Sequence, residues 1–429
     1  MMDSRAEMDS GPLETSLEQL VGLDNVTRSP GIQIDGLRPA ILVKPGTRGE
    51  VAQCLEACAR SGANVIPAGM MTWLECGNPV RSAQVVLSLS RMNRVVDYFP
   101  ADLTICVEAG ITLSDLNGIV RRENQWLPLD PPGNGTLGAV VACGSSGPLR
   151  FGYGTPREYV IGLRLAHVDG TESKSGGRVV KNVAGYDLNK LYVGSFGTLA
   201  VITEVILKLR PVPERSATML VTASDLLSIQ DFASRIMASR LRPASLFVLN
   251  HGMSSRLGVA TRGPALLVRF VESAAAVADQ VDRLQTLGDD INCALTTVAE
   301  ADSVLWPCIS ALDQTVVLKC SVAMSRVVRA LELCENHFPE CVAAADIGMG
   351  LVRIGIQSGD LEIIARIKSL RSDVESIGGT LIIERAPSFI RLEADAWGEP
   401  GPEIRIMRSI KQSYDPDSLL SPSRLVGGI

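Results

Sequence analysis

Residues 179–204 read VVKNVAGYDLNKLYVGSFGTLAVITE, and this stretch decides the fold class. Gly185-Tyr186-Asp187 leads into a short helix with Asp187 as its expected cap, because a short carboxylate can accept the helix's first free N–H groups. Gly194 and Gly197 bracket a turn into a strand expected from Thr198 to Leu209, rich in β-branched and aliphatic residues.

Working upstream, the segment YVIGLRLAHVDG supplies another strand, with VDG as a hairpin turn signal. From Leu127 to Arg210 glycine density is high and strands are expected to dominate. Earlier, Thr47 and Glu50 form a capping box, and Val51, Cys54, Leu55, Cys58 and Ala59 repeat on one helical face. ANVIPAG, QVVLSLS, RVVDYF and LTICVEAG read as strands, and Thr112 with Asp115 opens a second helix. A short helix is expected around Leu17 to Val21, after a frayed leader. Working downstream, Pro211 and Pro213 mark a boundary. Strand, helix, strand, strand, helix follows, which suggests a ferredoxin-like unit continued through VVLKCSV, GLVRIGI and TLIIERAP. No sequence repeat is visible.

The bulk properties narrow the function. At 429 residues the chain holds two or three folding units, on a prior of about 150 residues each. A 46% apolar composition supports a large core, and a net charge of −6 without a basic block argues against nucleic acid. The acidic N-terminus reads as neither signal nor transit peptide, and no transmembrane segment is expected, so a cytoplasmic location follows. Of the ten cysteines, Cys54 and Cys58 are expected to pack as small hydrophobes. Cys334, His337 and Cys341 could offer three zinc ligands, but no fourth is near, and packing is the favoured reading. No Cys-x-x-Cys or iron–sulfur spacing occurs.

Two segments have the look of anion-binding backbone. Pro67-Ala68-Gly69-Met70-Met71-Thr72 follows a strand and can turn successive N–H groups inward. Alone it is an ordinary turn signal, and it is not the G-x-G-x-x-G of a Rossmann unit. Pro132, Gly133, Gly135, Thr136, Gly138, Gly144, Gly147 and Gly154 make the second, equally readable as tight turns in a β-rich domain.

The run VVKNVAGYDLNKLYVGSFGTLAVITE resembles the FAD-linked 2-hydroxy-acid dehydrogenase branch of the vanillyl-alcohol-oxidase superfamily, and RVVKNVAGYDL is most similar to the glycolate oxidase FAD-binding subunits. DGLRPAILVKPGTRGEVAQCL, LSRMNRVVDYFPADLTICVEAGITLSDL, WLPLDPP, DAWG and MRSIKQSYDPDSLLSPSRLVGGI carry the resemblance along the chain. It implies an α+β protein: a PCMH-type FAD-binding domain of two α+β subdomains (35–213, divided as 35–110 and 111–213), a ferredoxin-like α+β cap (214–396), and a C-terminal return (397–429) after a leader (1–34). It implies non-covalent FAD with its pyrophosphate at Gly69, Met70, Met71 and Thr72. Pro132, Thr136, Gly138, Ala142, Gly144 and Gly147 would pass along the flavin and phosphates, and Gly154 and Ile202 would line the adenine end. The family usually has glycines where Met70 and Met71 stand; a left-handed backbone at either would cost about 1–2 kcal/mol. Ser421-Pro422-Ser423 replaces the usual Asn-Pro-Gly.

Oxidation of a hydroxy acid needs a base and a cation for the carboxylate. The only histidines, His167, His251 and His337, all read as structural or solvated, and the paired histidines of catalytic relatives are missing. Lys181, Arg385 and Arg391 are candidate carboxylate ligands, against the ordinary reading of solvated cations. Catalytic residues are therefore not assignable, and the resemblance implies a glycolate-oxidase-like complex with a catalytic flavoprotein subunit and an iron–sulfur subunit, acting on a small 2-hydroxy acid. In such a complex this chain would relay electrons or support assembly, and could sit at a membrane periphery. A free-standing flavin oxidase and a flavin-free structural subunit are the alternatives.

Overall fold

The computed structural model describes residues 11–177, 186–259, 264–289, 294–299, 301–358 and 360–429. The leader residues 1–10, Lys181 and most of RVVKNVAGYDL lie outside them. Strands β1 (Val26–Arg28), β2 (Ile41–Val43), β3 (Val65–Ala68) and β4 (Val85–Ser88) form a sheet of order β1-β2-β4-β3, parallel at β2–β4–β3. The crossover from β2 to β3 is the helix Arg48–Arg60. Thr47 Oγ1 accepts from Glu50 N at 3.2 Å, and Cys54 and Cys58 are buried. The helix Gly11–Val21 packs across it through Leu13, Leu17 and Val21. Each fully buried side chain of this size contributes about 1.5–3 kcal/mol.

A second sheet uses β5 (Val95–Phe99), β6 (Thr104–Glu108), β8 (Val160–Ala166), β9 (Glu172–Gly176) and β10 (Val201–Lys208), in the order β5-β6-β10-β8-β9. The sequence-based division at 110/111 is corrected here: β5 and β6 pair with β10, so the two sheets divide before residue 95. Their hydrogen-bonding partner lies about a hundred residues away, beyond the reach of local pattern. The expected run of strands after Leu127 is also corrected. Between β7 (Gln125–Trp126), which pairs with β11 (Arg210–Pro211), and β8 lie three short helices, Leu137–Cys143, Arg150–Tyr153 and Pro156–Tyr159. Asp187 does not cap its helix: Asn189–Tyr192 begins two residues later, and Asp187 pairs with Lys190 at 3.4 Å.

The remaining strands are β12 (Arg215–Thr222), β13 (Ser245–Leu249), β14 (Ala265–Glu272), β15 (Ala294–Thr297), β16 (Val316–Ser321), β17 (Val342–Asp346), β18 (Leu351–Ile356) and β19 (Thr380–Arg385). They form one eight-stranded antiparallel sheet, β15-β12-β14-β13-β17-β18-β16-β19. Each half has the ferredoxin-like order, fourth-first-third-second, and the halves meet edge to edge at β13–β17. The cap is thus a structural duplication with no visible sequence repeat. Helices Leu226–Ala238, Ala274–Asp289, Val327–His337 and Glu362–Ser376 cover one face. The segment Ala301–Leu312 covers part of the other, and the rest of that face looks at the two N-terminal sheets.

The domains are pinned by buried polar contacts. Arg391 Nη2 lies 2.5 Å from Asp35 Oδ1, and Arg424 Nη1 3.0 Å from Asp35 Oδ2. Ser245 Oγ donates to Pro148 O, and Ser310 Oγ to Asp130 O. The C-terminal return pairs beside β3: Val65 N donates to Leu419 O and Ser421 N to Val65 O.

Candidate functional site

The first site is a cleft between the two N-terminal sheets. Its walls include Ile66, Gly69, Met71, Thr72, Leu89, Ala109, Thr136, Gly138, Ala142, Ile202 and Arg424. Two close approaches of backbone define its floor. A Cβ on Gly69 would lie 2.0 Å from Thr136 Oγ1, and one on Gly138 would lie 2.8 Å from Ala109 Cβ. Gly138 N donates to Ala109 O at 2.7 Å, holding the helix Leu137–Cys143 against the β6 end. Thr136 Oγ1 is buried without a hydrogen-bond partner. A buried hydroxyl left unpaired is costly, and beside a glycine-walled cleft it is suited to a polar ligand atom. These observations fit a flat dinucleotide held largely by main chain.

The loop's departure from glycine has a structural outcome. Met71 takes the left-handed backbone, with φ 62°, and Met70 does not. Met70 points outward, more than half exposed, whereas Met71 packs against the cluster around Ile34, Ile66 and Val80. Neither thioether closes the cleft, and the strain of about 1–2 kcal/mol falls on one residue. Gly154 and Met70 line neither this cleft nor the cavity described next. Gly154 instead ends the helix Arg150–Tyr153 at φ 88° and faces the Thr155–Glu158 capping box.

The second site is a cavity of about 220 Å³ between the N-terminal sheets and the cap sheet. It shares Trp73, Cys76, Cys143 and Phe196 with the cleft, so the two adjoin. Pro132, Gly144 and Gly147 line the cavity. Phe196 and Gly197 both take positive φ, and this turn sets the Phe196 ring edge-on to Trp397 at 5.1 Å. Sequence reasoning did not single out Trp73, Phe196 or Trp397; the glycine after Phe196 was the available signal.

The cap wall carries the charge. β16–β18 pairing sets Lys319 opposite Arg353, and a bulge between Val317 and Leu318 lets Glu384 and Arg385 both reach the cavity. Glu384 sits 3.1 Å from Lys319 Nζ and 2.7 Å from Arg353 Nε. Burial alone would raise its carboxyl; the two cations outweigh that and hold it at about 2. Arg385 Nη2 donates to the carbonyls of Leu312 and Gln314, which fix it without compensating its charge. Asp346, at the end of β17, shares the cavity face with its register partners Phe247 and Leu351. Burial raises its carboxyl to about 7, partly offset by the Met349 N–H and by Arg150.

The other expected carboxylate ligands and metal ligands fall elsewhere. Arg391 is fully buried and spent on Asp35, Gly77 O and Ala386 O. His167 stacks on Tyr414 and contacts Ser173, His337 pairs with Asp373 at 2.7 Å, and His251 begins a helix capped by Asn250. Cys334 Sγ lies 3.8 Å from Cys320 Sγ, and Cys341 Sγ faces Asn250. Burial pushes the Cys143 thiol well above its ordinary value, which disfavours the thiolate.

Residues 39–176 match the family model of an FAD binding domain. Over 90% of its length the chain is 24% identical to glycolate oxidase subunit GlcD of Bacillus subtilis, covering 89% of that protein. A stretch of 35% of the chain is 38% identical to glycolate oxidase subunit GlcE of Escherichia coli, covering 42% of it. In fold, 98% of the chain superposes on 98% of 4-ethylphenol oxidase from Gulosibacter chungangensis, with a TM-score of 0.76 at 14% identity.

Proposed function

We propose, from the premise that the chain is an FAD-dependent oxidoreductase of the FAD-linked oxidase kind, that it oxidises a small 2-hydroxy acid within a glycolate-oxidase-like assembly. FAD would be held non-covalently by Gly69, Met71, Thr72, Thr136, Gly138, Ala142 and Ile202, which line the cleft. Met70 and Gly154 would act only through the turns they belong to. Non-covalent attachment is supported by the buried, unactivated Cys143 and by the lack of histidine among the residues that line either site.

The observation that carries the reading is the cationic cavity adjoining the cleft. Arg150, Lys319, Arg353 and Arg385 face two acids, Asp346 and Glu384, and Glu384 is already matched by Lys319 and Arg353. An anionic substrate would offset part of that positive excess. The rings of Trp73, Phe196 and Trp397 line the space around it. When bound, FAD supplies the acceptor for a hydride.

A second reading is favoured by one observation, the absence of histidine from the cavity wall: this chain would relay electrons or support assembly while a partner flavoprotein oxidises the substrate and an iron–sulfur subunit accepts the electrons. Purified full chain, with FAD, mixed anaerobically with glycolate or D-lactate separates them. Bleaching of the flavin band by the chain alone supports the first reading. A band that bleaches only when partner subunits are added supports the second, and a folded chain without a flavin band overturns both.

A further inference from the structure

We infer that the Asp346 carboxylate is the proton acceptor for the substrate hydroxyl, in the place that histidine would otherwise take; this rests on the first reading above. The cavity wall holds two acids and no histidine. Glu384 is excluded by its surroundings, since both oxygens are engaged by fixed cations and the group stays ionised far below neutrality. A group held so firmly as an anion has almost no tendency to take a proton near neutral pH.

Asp346 differs in every respect. It ends β17 on the cavity face and is 3% exposed; its Oδ1 accepts from Met349 N at 3.2 Å, and the Gly348 N–H also favours its anion. The charged groups acting on it come from both domains. Arg150, on the short helix Arg150–Tyr153, favours the anion, and Asp130, after β7, opposes it. Asp130 is itself buried, raised to about 6, and held by Leu149 N. Across the sheet lie Arg353 and Lys319, tied to Glu384, and beyond them Arg385. Asp346 therefore loses its proton near neutrality, the range in which a general base works best.

The step balances as follows. The substrate O–H bond breaks and its proton passes to Asp346; the C–H bonding pair leaves with its hydrogen as hydride, and the carbon–oxygen double bond forms. The hydroxy acid is oxidised by two electrons to the 2-oxo acid, FAD is the oxidant, and the proton leaves Asp346 for solvent. Arg150, the cavity cation that acts on Asp346, would hold the carboxylate of so small a substrate and leave its hydroxyl at the β17 end.

The test compares the full FAD-loaded parent chain with two variants, Asp346→Asn and Asp346→Glu. In single-turnover flavin reduction by glycolate or D-lactate, the parent rate should rise tenfold per pH unit to a plateau above about 7. Asp346→Asn should be slower by roughly 10²-fold or more and lack that limb, and Asp346→Glu should keep it. A second readout needs no turnover. Oxalate, a planar dianion, should bind the parent about tenfold more weakly at pH 8 than at pH 6, because the ionised carboxylate repels it, and bind Asp346→Asn equally at both. A parent reduced by substrate with Asp346→Asn matching its rate and pH limb overturns the inference, as does pH-independent oxalate binding to the parent. A parent flavin that no 2-hydroxy acid reduces fails the functional reading itself, which is a different result from parent and variant being reduced alike.

Discussion

Gly69 shows how much can rest on one hydrogen atom. Alanine there would put Cβ 2.0 Å from Thr136 Oγ1, so Thr136 or the loop must move. Gly69→Ala is expected to weaken FAD retention at least tenfold, read as visible absorbance kept after desalting. Thr136→Ala tests the cleft from the other side. Its hydroxyl is an orphan in the protein alone, so removing it should leave the flavin-free chain as stable or slightly more stable. If the hydroxyl bonds the cofactor, the same change weakens FAD binding by about 1 kcal/mol, roughly fivefold in Kd. Opposite signs for stability and binding identify a ligand group; a loss in both would identify a structural one. At Met71 two effects nearly cancel. Glycine would relieve about 1–2 kcal/mol of left-handed strain but forfeit packing of a half-buried thioether worth about 1 kcal/mol. The glycine and threonine positions of both loops were legible because turns need particular residue types at particular places. The left-handed choice between Met70 and Met71 was not, since both residues are equally disfavoured there.

Among elements, the C-terminal return is the one most dependent on a single pair. Lys411 is buried in the helix Ile404–Tyr414, where Nζ bonds Asp415 at 2.6 Å, Thr198 O at 2.7 Å and Leu420 O at 3.1 Å. Asp415 in turn accepts from Leu419 N and Leu420 N, which shapes the strand that extends the first sheet beside β3. Removing one partner of a buried pair strands the other charge, at a cost of about 3–5 kcal/mol. Lys411→Ala should therefore lower the free energy of urea unfolding by that amount and release the tail, seen as faster proteolysis after residue 411. The helices at Arg48–Arg60 and Leu113–Val120 were legible from caps and apolar spacing. The cap's duplication was not, because two halves that share only a strand order carry no shared residue pattern. The bulge that turns Glu384 and Arg385 to one side was likewise invisible, being set by register against β16.

For the whole molecule, three buried acids set the pH dependence with opposite signs. Asp346 and Asp130 have carboxyls raised in the folded state, to about 7 and about 6 from 3.8. Their folded forms bind more protons than the unfolded chain, so their contribution is full below about pH 3.8 and lost as pH rises through those values. Glu384 is depressed to about 2 from 4.5, so its contribution is present above 4.5 and lost as pH falls toward 2. With two acids losing and one gaining stability as pH rises, the summed contribution of these three groups should peak near the unfolded aspartate value of 3.8 and decline above it. Between pH 6 and 7 chiefly Asp346 titrates, and unfolding free energy should fall there by about 1 kcal/mol. In Asp346→Asn that decline should shrink to the smaller part left by Asp130; a decline of equal slope in the variant would assign it to another group.

By itself the sequence determined the local elements, the glycine and threonine grammar of a main-chain dinucleotide site, and the absence of a histidine cluster, since each depends on neighbours within a few residues. Only the tertiary structure decided which sheet β5 and β6 join, where the cavity lies, and which acid in it can take up a proton. Those properties come from groups such as Lys319, Asp346 and Glu384, dozens of residues apart along the chain, being brought into one poorly solvated space, where burial and opposing charge, not residue type, fix what a side chain can do.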